Sequence, residues 1–206
     1  MDTKELLKIT LGLSNESTYK SIDLSEIHSL LICGGTSEAR KAFLDNIRFG
    51  KLVNMHVFNS EAPESAVNGL EKLAEQCQVP AASKDECHHV VIVNDYAQFI
   101  LPLSKAEKDF CSRIKKAVDT IAQKGRTYNY HIILVSSRPC VDVVTNRLKS
   151  LFSHRIMFKS NRIDSMTVIG TSSAANLPDE SSFIYTDGAQ EEMLSMEEAC
   201  SQARNE

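Results

Sequence analysis

The chain has 206 residues, with 23 basic and 27 acidic side chains, no Trp and 42% apolar residues. This length favours one domain that can bury enough surface to fold without disulfides or metals. No apolar run approaches the roughly 18 residues of a membrane span, and six Cys are too few for a disulfide scaffold. We therefore expect a cytoplasmic globular protein with no membrane partner.

The net charge of −4 is concentrated at one end of the chain. Residues 189–206 hold five Glu and one Arg, whereas the preceding 188 residues hold 22 basic and 22 acidic groups. We predict a folded domain over residues 1–188 and an acidic helical or disordered tail over residues 189–206. The neutral body argues against a bulk nucleic-acid binder but leaves room for a local basic patch.

Hydrophobic patterning predicts strands that alternate with helices. The predicted strands are 6–13, 19–24, 28–33, 52–58, 89–93, 131–135, 154–158 and a last edge strand at 182–185. The predicted helices are 36–47, 66–77, 141–152 and a helix opened by a capping box at Ser104, whose apolar stripe is Phe110, Ile114, Val118 and Ile121. This order predicts an α/β fold with βαβ crossovers and a largely parallel central sheet flanked by helices.

Ligands of such sheets lie beyond the carboxyl ends of the strands. We expect Cys33, Val93 and Val135 to end adjacent strands, so that the residues that follow them share one edge. Those residues are Gly34 and Gly35, then Asn94 and Asp95, then Ser136, Ser137 and Arg138.

The first of these strand ends partly matches a phosphate-binding loop. That loop reads Gly-x-x-x-x-Gly-Lys-Ser/Thr between a strand and a helix. Here Gly34 matches, but Ala39 stands at the second Gly, Arg40 at the Lys and Lys41 at the hydroxyl that binds Mg²⁺. The candidate nucleotide-binding residues are Gly34, Gly35, Thr36, Ser37, Ala39, Arg40 and Lys41. Glu38 adds a negative charge, and the loop alone is a weak match.

Three later segments resemble the FtsK/SpoIIIE family of bacterial DNA translocases. HHVVIVNDYAQ (88–98) is similar to the family's strand that ends in DEFAD, and HIILVSSRP (131–139) to its strand that ends in ATQRP. The block RPCVDVVT, RIMF and IDSMTVI (138–169) resembles the family's RPxVDVIT, RIAF and IDSRTI. The resemblance covers about residues 8 to 187 in order, and implies a RecA-like P-loop domain.

The departures from the family concern its hydrolytic groups. Asn94 corresponds to the Walker B Asp, Asp95 to the catalytic Glu and Ser137 to the sensor Gln. Phosphoryl transfer depends on positioning and charge neutralisation around Mg²⁺, so altering these groups together predicts no useful ATPase. We expect no catalytic residue, no bound metal, and ATP and Mg²⁺ binding that is weak or absent.

The resemblance then implies a binding or assembly module, like the degenerate modules of type VII secretion ATPases. Its partner would be an active ATPase or ring neighbour, DNA, or a secretion-type substrate. Two alternatives stay open. One is an active ATP-dependent DNA translocase that uses Arg40 or Lys41 on phosphate and Asp95 as its acid. The other is a domain that senses nucleotide without hydrolysing it.

Several residues have competing interpretations. GGTSEAR (34–40) is also similar to the NADPH-binding turn of precorrin reductases, and Gly34-Gly35 can equally be a tight turn with no ligand. Cys77 and Cys87-His88-His89 lack the Cys-x₂₋₄-Cys spacing of structural zinc sites. Cys33 and Cys140 have no evident general base, which favours buried structural thiols.

A second set of competing interpretations concerns basic residues. Residues 143–163 carry five basic side chains and no acid, which suits contacts with DNA phosphates or with a neighbour's nucleotide, or a solvated helix face. These side chains are Arg147, Lys149, Arg155, Lys159 and Arg162. Arg138, at a strand end, can hold an anion or brace the loop, and we favour bracing.

Overall fold

The computed structural model describes residues 7–78, 87–101 and 107–196. Its strands are β1 (Lys8–Ser14), β2 (Tyr19–Asp23), β3 (Ser29–Cys33), β4 (Val53–Phe58), β5 (His88–Val93), β6 (Tyr130–Ser136), β7 (His154–Phe158), β8 (Ser182–Thr186) and β9 (Glu191–Ser195). Its α-helices are α1 (Leu24–Ile27), α2 (Ser37–Asn46), α3 (Pro63–Gln76), α4 (Tyr96–Ile100), α5 (Lys108–Lys124), α6 (Asn146–Leu151) and α7 (Arg162–Ile169).

The strands form one sheet in the order β2-β1-β9-β8-β7-β3-β6-β5-β4. The section from β7 to β4 is parallel, whereas β8, β9, β1 and β2 join it through antiparallel pairs. The α/β class with helices on a central sheet is confirmed. The antiparallel section was not predicted, because strand β9 was not recognised and the alternation of strands with helices indicated parallel pairs.

The parallel section is buried on both faces. In β3, β5 and β6, alternate residues face opposite layers, so these strands read as continuous apolar runs. Helix α5 covers one face with Ile114, Val118 and Ile121, all fully buried, and with the partly buried Phe110. This packing confirms the predicted stripe, whereas the capping box at Ser104 lies outside the described residues.

Helix α2 covers the other face through Phe43. The Phe43 ring meets Phe158 of β7 and Phe183 of β8 edge-on, with ring centroids 6.0 and 5.7 Å apart. Such pairs prefer this geometry because the positive ring edge meets the negative ring face. The contact fixes the position of α2, and therefore of the loop that precedes it.

Two predictions about the end of the chain are wrong. Strand β8 is not an edge strand, because it lies between β7 and β9. Strand β9 in turn pairs with β1 on its other side. Over Glu191–Ser195 the predicted acidic tail is a strand, with Leu194 buried and Glu192 paired to Lys20 at 3.0 Å. The two adjacent Glu suggested solvation, but they stand at the exposed end of this strand. Residues 197–206 lie outside the described residues.

The predicted helix over 141–152 is also partly wrong, because α6 begins only at Asn146. The Thr145 hydroxyl accepts a hydrogen bond from the backbone N–H of Leu148 at 3.2 Å and so caps the helix. Before it, the N–H groups of Val143 and Val144 both donate to the Cys140 carbonyl and form a turn. The short helices α1, α4 and α7 were not predicted.

Histidines cluster at the amino ends of the parallel strands, a feature that sequence reasoning missed. His88 Nδ1 lies 3.0 Å from His131 Nε2, and His56 Nε2 lies 3.0 Å from His89 Nδ1. The ring of His28 lies 5.8 Å from that of His131, and both are almost fully buried. Burial lowers the pKa of His28 and lowers that of His131 to about 3, so we expect both to be neutral near pH 7.

None of the helices in the described ranges has the length and apolar character needed to cross a bilayer.

Candidate functional site

Three strand ends meet at one edge of the sheet, as the sequence predicts. Strand β6 lies between β3 and β5, and its register aligns Cys33 with Ser136 and Val93 with Leu134. Gly34, Asn94 and Ser137 follow directly from these strands, so the predicted site residues converge from three chain segments.

The loop between β3 and α2 is short and turns sharply. Gly34 and Gly35 have φ angles of +76° and +65°, and α2 already begins at Ser37. Within the phosphate-loop motif, the fourth to eighth positions therefore lie in helix instead of loop. The Thr36 hydroxyl caps this helix by accepting a hydrogen bond from the backbone N–H of Ala39 at 3.1 Å.

Packing against β7 explains both glycines. A Cβ atom at Gly34 would lie 2.8 Å from the Phe158 carbonyl oxygen, and one at Gly35 would lie 2.7 Å from the Phe158 Cβ. The N–H of Gly35 donates to the Lys159 carbonyl at 3.1 Å. These contacts and the positive φ angles account for the Gly pair without a ligand.

Arg40 turns back onto the loop. One terminal nitrogen of its guanidinium donates to the carbonyl oxygens of both Gly34 and Gly35, each at 2.7 Å. Carbonyl oxygens thus face inward here, next to a fixed cation. Lys41, the next residue, is exposed on α2.

Glu38 places a carboxylate at the amino end of α2. Its own backbone N–H, followed by the Ser37 hydroxyl, donates to this carboxylate and lowers the pKa of Glu38. A helix amino end attracts anions through its free N–H groups and its dipole. An anion of the chain itself therefore already lies at this end of the helix.

Asp95 connects the ends of β5 and β6. One of its carboxylate oxygens accepts hydrogen bonds from the Ser137 hydroxyl at 2.6 Å and the Ser137 N–H at 3.3 Å. The other oxygen accepts from the Gln98 side-chain amide at 2.7 Å. The neighbouring Asn94 donates from its side-chain amide to Asn59 at 3.2 Å. Each side chain therefore has protein partners.

A cleft of about 510 Å³ opens between α2 and the strands β4 and β5. Its apolar wall includes Leu44, Met55, Val57 and Ile92, and its polar wall includes Arg40, Lys41, Asn59, Asn94 and Asp95. Sequence reasoning missed Asn59 and Met55. The available signal was that Asn59 directly follows a predicted strand, just as Asn94 does.

Arg155 and Arg138 differ in what they contact. The guanidinium of Arg155 donates to three carbonyl oxygens, those of Lys149, Phe152 and Val168, at 2.8 to 3.2 Å. Burial lowers its pKa, and it ties β7 to the ends of α6 and α7. Arg138 is exposed, and its carbonyl, rather than its guanidinium, accepts a hydrogen bond from Ser136 at 3.3 Å. Among the described residues the Arg138 guanidinium has no hydrogen-bond partner, and the bracing of the loop by its side chain stays a prediction.

The remaining basic side chains of residues 143–163 contact the protein itself at several points. Arg147 pairs with Asp119 at 2.6 Å, Lys149 donates to the Thr167 carbonyl, and Lys159 donates to the Pro178 carbonyl. Their partners belong to different elements of the fold.

Across residues 7–78, 87–101 and 107–196, no three His, Cys, Asp or Glu side chains have an arrangement that could hold a metal ion. Cys33 is buried, and burial raises the pKa of its thiol, whereas Cys140 is only partly buried. Burial raises the pKa of Cys77 to about 12.

Comparison with known proteins finds sequence relatives among bacterial DNA translocases. The chain is 29% identical over 140 residues to the DNA translocase FtsK of Shewanella oneidensis, covering 64% of this chain and 15% of that protein. It is 28% identical over 167 residues to FtsK of Haemophilus influenzae, covering 77% of this chain and 30% of that protein. The chain thus spans less than a third of either relative. No family model matches it.

Solved structures share the fold at low sequence identity. The pCW3 conjugation coupling protein TcpA, solved with ATPγS, superposes with a TM-score of 0.79 at 16% identity, covering 95% of this chain and 68% of that one. The cytoplasmic domain of the Thermomonospora curvata type VII secretion ATPase EccC gives 0.73 at 14% identity, covering 95% and 29%. EccC ATPases 2 and 3, solved with a signal sequence peptide, give 0.68 at 12% identity, covering 95% and 43%.

The sequence matches to FtsK, the shared fold and the three aligned strand ends agree with one another. The chain is therefore similar in sequence to FtsK DNA translocases, and its fold is that of RecA-like P-loop ATPases of the FtsK/SpoIIIE type.

Proposed function

We propose that this chain is an FtsK/SpoIIIE-type domain without ATPase activity, which acts as a binding or assembly module. The observation that carries the proposal is the contact of the Arg40 guanidinium with the carbonyl oxygens of Gly34 and Gly35. A phosphate loop must direct backbone N–H groups toward its ligand. This loop directs two carbonyl oxygens inward and neutralises them with its own cation.

The residues present do not fit Mg²⁺·ATP. The Gly35 N–H is bonded to Lys159, and the Glu38 carboxylate lies at the helix end where a phosphate would bind. Lys41 stands where the family has the hydroxyl that binds Mg²⁺. The attractive contributions that remain near a helix end are each worth about 0.3–2 kcal/mol. Micromolar affinity needs about 8 kcal/mol, so we expect ATP to bind at millimolar strength or not at all.

The polar residues Asn94 and Asp95 at the end of β5 support the same proposal. The side chain of Asp95 is one methylene shorter than Glu, and it accepts hydrogen bonds from Ser137 and Gln98 that fix it between two strands. Asn94 is neutral and cannot balance the charge of a metal ion. These residues join strands β4, β5 and β6 at the edge where the family has its hydrolytic groups.

We infer that the partner is a protein in the cytoplasm, such as an active ATPase of the same type or an exported polypeptide. Related ATPases of EccC have been solved with a signal sequence peptide. The dispersed basic side chains of residues 143–163 give less support to DNA, because most of them already contact protein groups.

The test is calorimetric titration with ATP and Mg²⁺, followed by a hydrolysis assay with and without DNA. We expect no hydrolysis above background and no ATP binding below the millimolar range. A turnover of about 0.1 s⁻¹ that disappears in the Asp95→Ala variant would contradict the proposal and favour an active translocase. Binding near 1 μM without hydrolysis would instead favour nucleotide sensing.

A matched variant tests whether the residues of the loop are responsible for the weak ATP binding that we expect. The triple substitution Ala39→Gly, Arg40→Lys and Lys41→Ser restores the family's residues and removes the guanidinium that occupies the loop. If loop geometry follows these residues, ATP affinity rises. If affinity stays unchanged, the packing of Gly34 and Gly35 on β7 holds the loop closed by itself.

A further inference from the structure

Among the described residues, strand β4 at one edge of the sheet has none of the features that normally protect an edge. Natural edges are protected by charged side chains, prolines, bulges or a covering element. Val53–Phe58 contains no charged residue and no Pro, and its six consecutive pairs with β5 run without a bulge. The opposite edge strand, β2, carries Lys20 and Asp23, and a register shift interrupts its pairing with β1.

The α2-facing side of this edge is apolar and exposed. Met55 and Val57 are 50% and 51% exposed, although they adjoin the buried Ile92 in the wall of the cleft. Helix α2 packs on β7 and β8 through Phe43 and leaves this corner of the sheet uncovered. Exposed apolar side chains beside the unpaired outer edge of a strand indicate an interaction surface.

The hydrogen-bond pattern shows which backbone groups are available. The carbonyls of Leu52 and Phe58 accept hydrogen bonds from the N–H groups of His88 and Asn94 in the β5 segment. Even-numbered residues of β4 therefore direct their backbone groups toward β5. Because these directions alternate along a strand, Met55 and Val57 direct their N–H and C=O groups away from the sheet.

We infer that β4 pairs antiparallel with β4 of a second copy of this chain, about a two-fold axis at His56. In this register Met55 faces the partner copy's Val57, and the two residues exchange N–H···O=C hydrogen bonds in the narrow pattern of antiparallel pairs. The two-fold axis repeats the exchange, so both exposed apolar residues of each copy meet those of the other. A two-fold interface uses the same surface on both copies, which this pairing satisfies.

Charge selects this register among those that the hydrogen bonds allow. Axes at Met55 or Val57 would also pair outward-facing residues with each other. Counted along the two strands, only the axis at His56 brings the position of exposed Lys51, in the turn before β4, opposite that of exposed Glu61, in the turn after it. Within the described residues neither side chain has an ion pair in its own copy. The inference goes beyond the proposed function and does not depend on the nucleotide loop.

Charge reversal at these exposed positions tests the pairing without disturbing the core. Sedimentation of the full chain, at concentrations up to about 1 mM, should show a monomer–dimer equilibrium. Lys51→Glu and Glu61→Lys should each weaken the dimer by about tenfold, since each places two pairs of like charges together. The double variant should restore the dimer, and an equal mixture of the two single variants should form heterodimers.

Disulfide trapping tests the register directly. His56→Cys would place two thiols opposite each other at the axis, where Cα atoms are about 4.5 Å apart, within disulfide range. Asn54→Cys on the same face is the matched control, because the two copies of residue 54 would lie about 13 Å apart. Oxidation should link the first variant and leave the second at the level of the unmodified chain. A monomer at all concentrations, an assembly larger than a dimer, or equal linking of both variants would overturn the inference.

Discussion

The hydroxyl of Ser137 donates a 2.6 Å hydrogen bond to the carboxylate of Asp95, and this bond joins the carboxyl ends of two neighbouring strands. In this arrangement the Asp95 carboxylate accepts hydrogen bonds and has a structural role. Asp95 also has a φ of 60°, a backbone conformation that few residues other than Gly, Asn and Asp adopt readily. Its bonds to Ser137 and Gln98 help to hold that conformation.

Ser137→Ala should lower the free energy of unfolding by about 1 kcal/mol, because the carboxylate of Asp95 loses its shortest hydrogen bond. Urea unfolding measures the change. Ser137→Thr, which keeps the hydroxyl, is the control and should retain more of the stability. Equal losses in both variants would show that the hydroxyl contributes nothing.

Arg40→Met should destabilise the chain by about 1–3 kcal/mol, because two carbonyl oxygens in the loop lose their charged donor. Lys41→Met is the matched control: it also removes a positive charge from α2, but from an exposed side chain for which the described residues provide no hydrogen bond. In thermal unfolding, the Tm of Arg40→Met should be clearly lower than that of Lys41→Met. A larger loss for Lys41→Met would contradict the geometry of the loop.

The glycines of the loop permit a similarly controlled comparison. Gly35→Ala should lower the free energy of unfolding by about 2–4 kcal/mol, from the strain of a positive φ and from the close approach to Phe158. Gly170→Ala is the control. Gly170 has an even larger φ of +86°, but a Cβ atom added there would have no atom of the described, non-adjacent residues within 4 Å. The substitution should cost only the strain, about 1–2 kcal/mol. Equal costs would indicate that Phe158 moves aside.

The buried histidines should make the fold sensitive to acid. The pKa of His131 in the folded state, about 3, lies below the unfolded value of 6.5. The unfolded chain therefore binds more protons between these values, and stability is complete above pH 6.5 and falls as the pH falls toward 3. Near pH 5, His131 alone should account for a loss of about 2 kcal/mol.

Urea midpoints at pH 7.5, 6 and 5 test this expectation. His131→Leu removes one titrating group and should flatten the pH dependence, whatever its effect on stability at pH 7.5. Burial also lowers the pKa of His28, His56, His88 and His154, so a residual dependence of the same sign should remain. A variant whose slope equals that of the unmodified chain would contradict the assignment of the effect to His131.

The sequence was most informative where both faces of an element are buried. The apolar runs of β3, β5 and β6 and the stripe of α5 follow from side-chain burial alone. The meeting of Gly34, Asp95 and Ser137 follows from the parallel arrangement that these runs indicate. Strand β9 was missed because Glu191 and Glu192 stand at its exposed end, and only its pairing with β1 and β8 identifies it as a strand.

The candidate site was predicted as a set of positions but not as a set of contacts. Nothing in a sequence indicates that the Arg40 side chain folds back on the loop carbonyls instead of pointing toward a ligand. The partners of Arg155 are likewise backbone carbonyls, which no residue pattern specifies. The direction of a long cationic side chain depends on the acceptors that the finished fold provides.

The position of β9 also determines the order in which the sheet can assemble. Among the described strands, β1 and its partner β2 are joined to the rest of the sheet only through β9, in which Ser195 pairs with Leu13. During synthesis the β1–β2 hairpin must therefore wait until β9 has emerged, while the parallel section is complete once β7 is made. A two-stranded hairpin is marginal by itself, and contacts between distant parts of a chain form slowly. Strand β1 is thus made before the other described strands of the sheet but is among the last to join it.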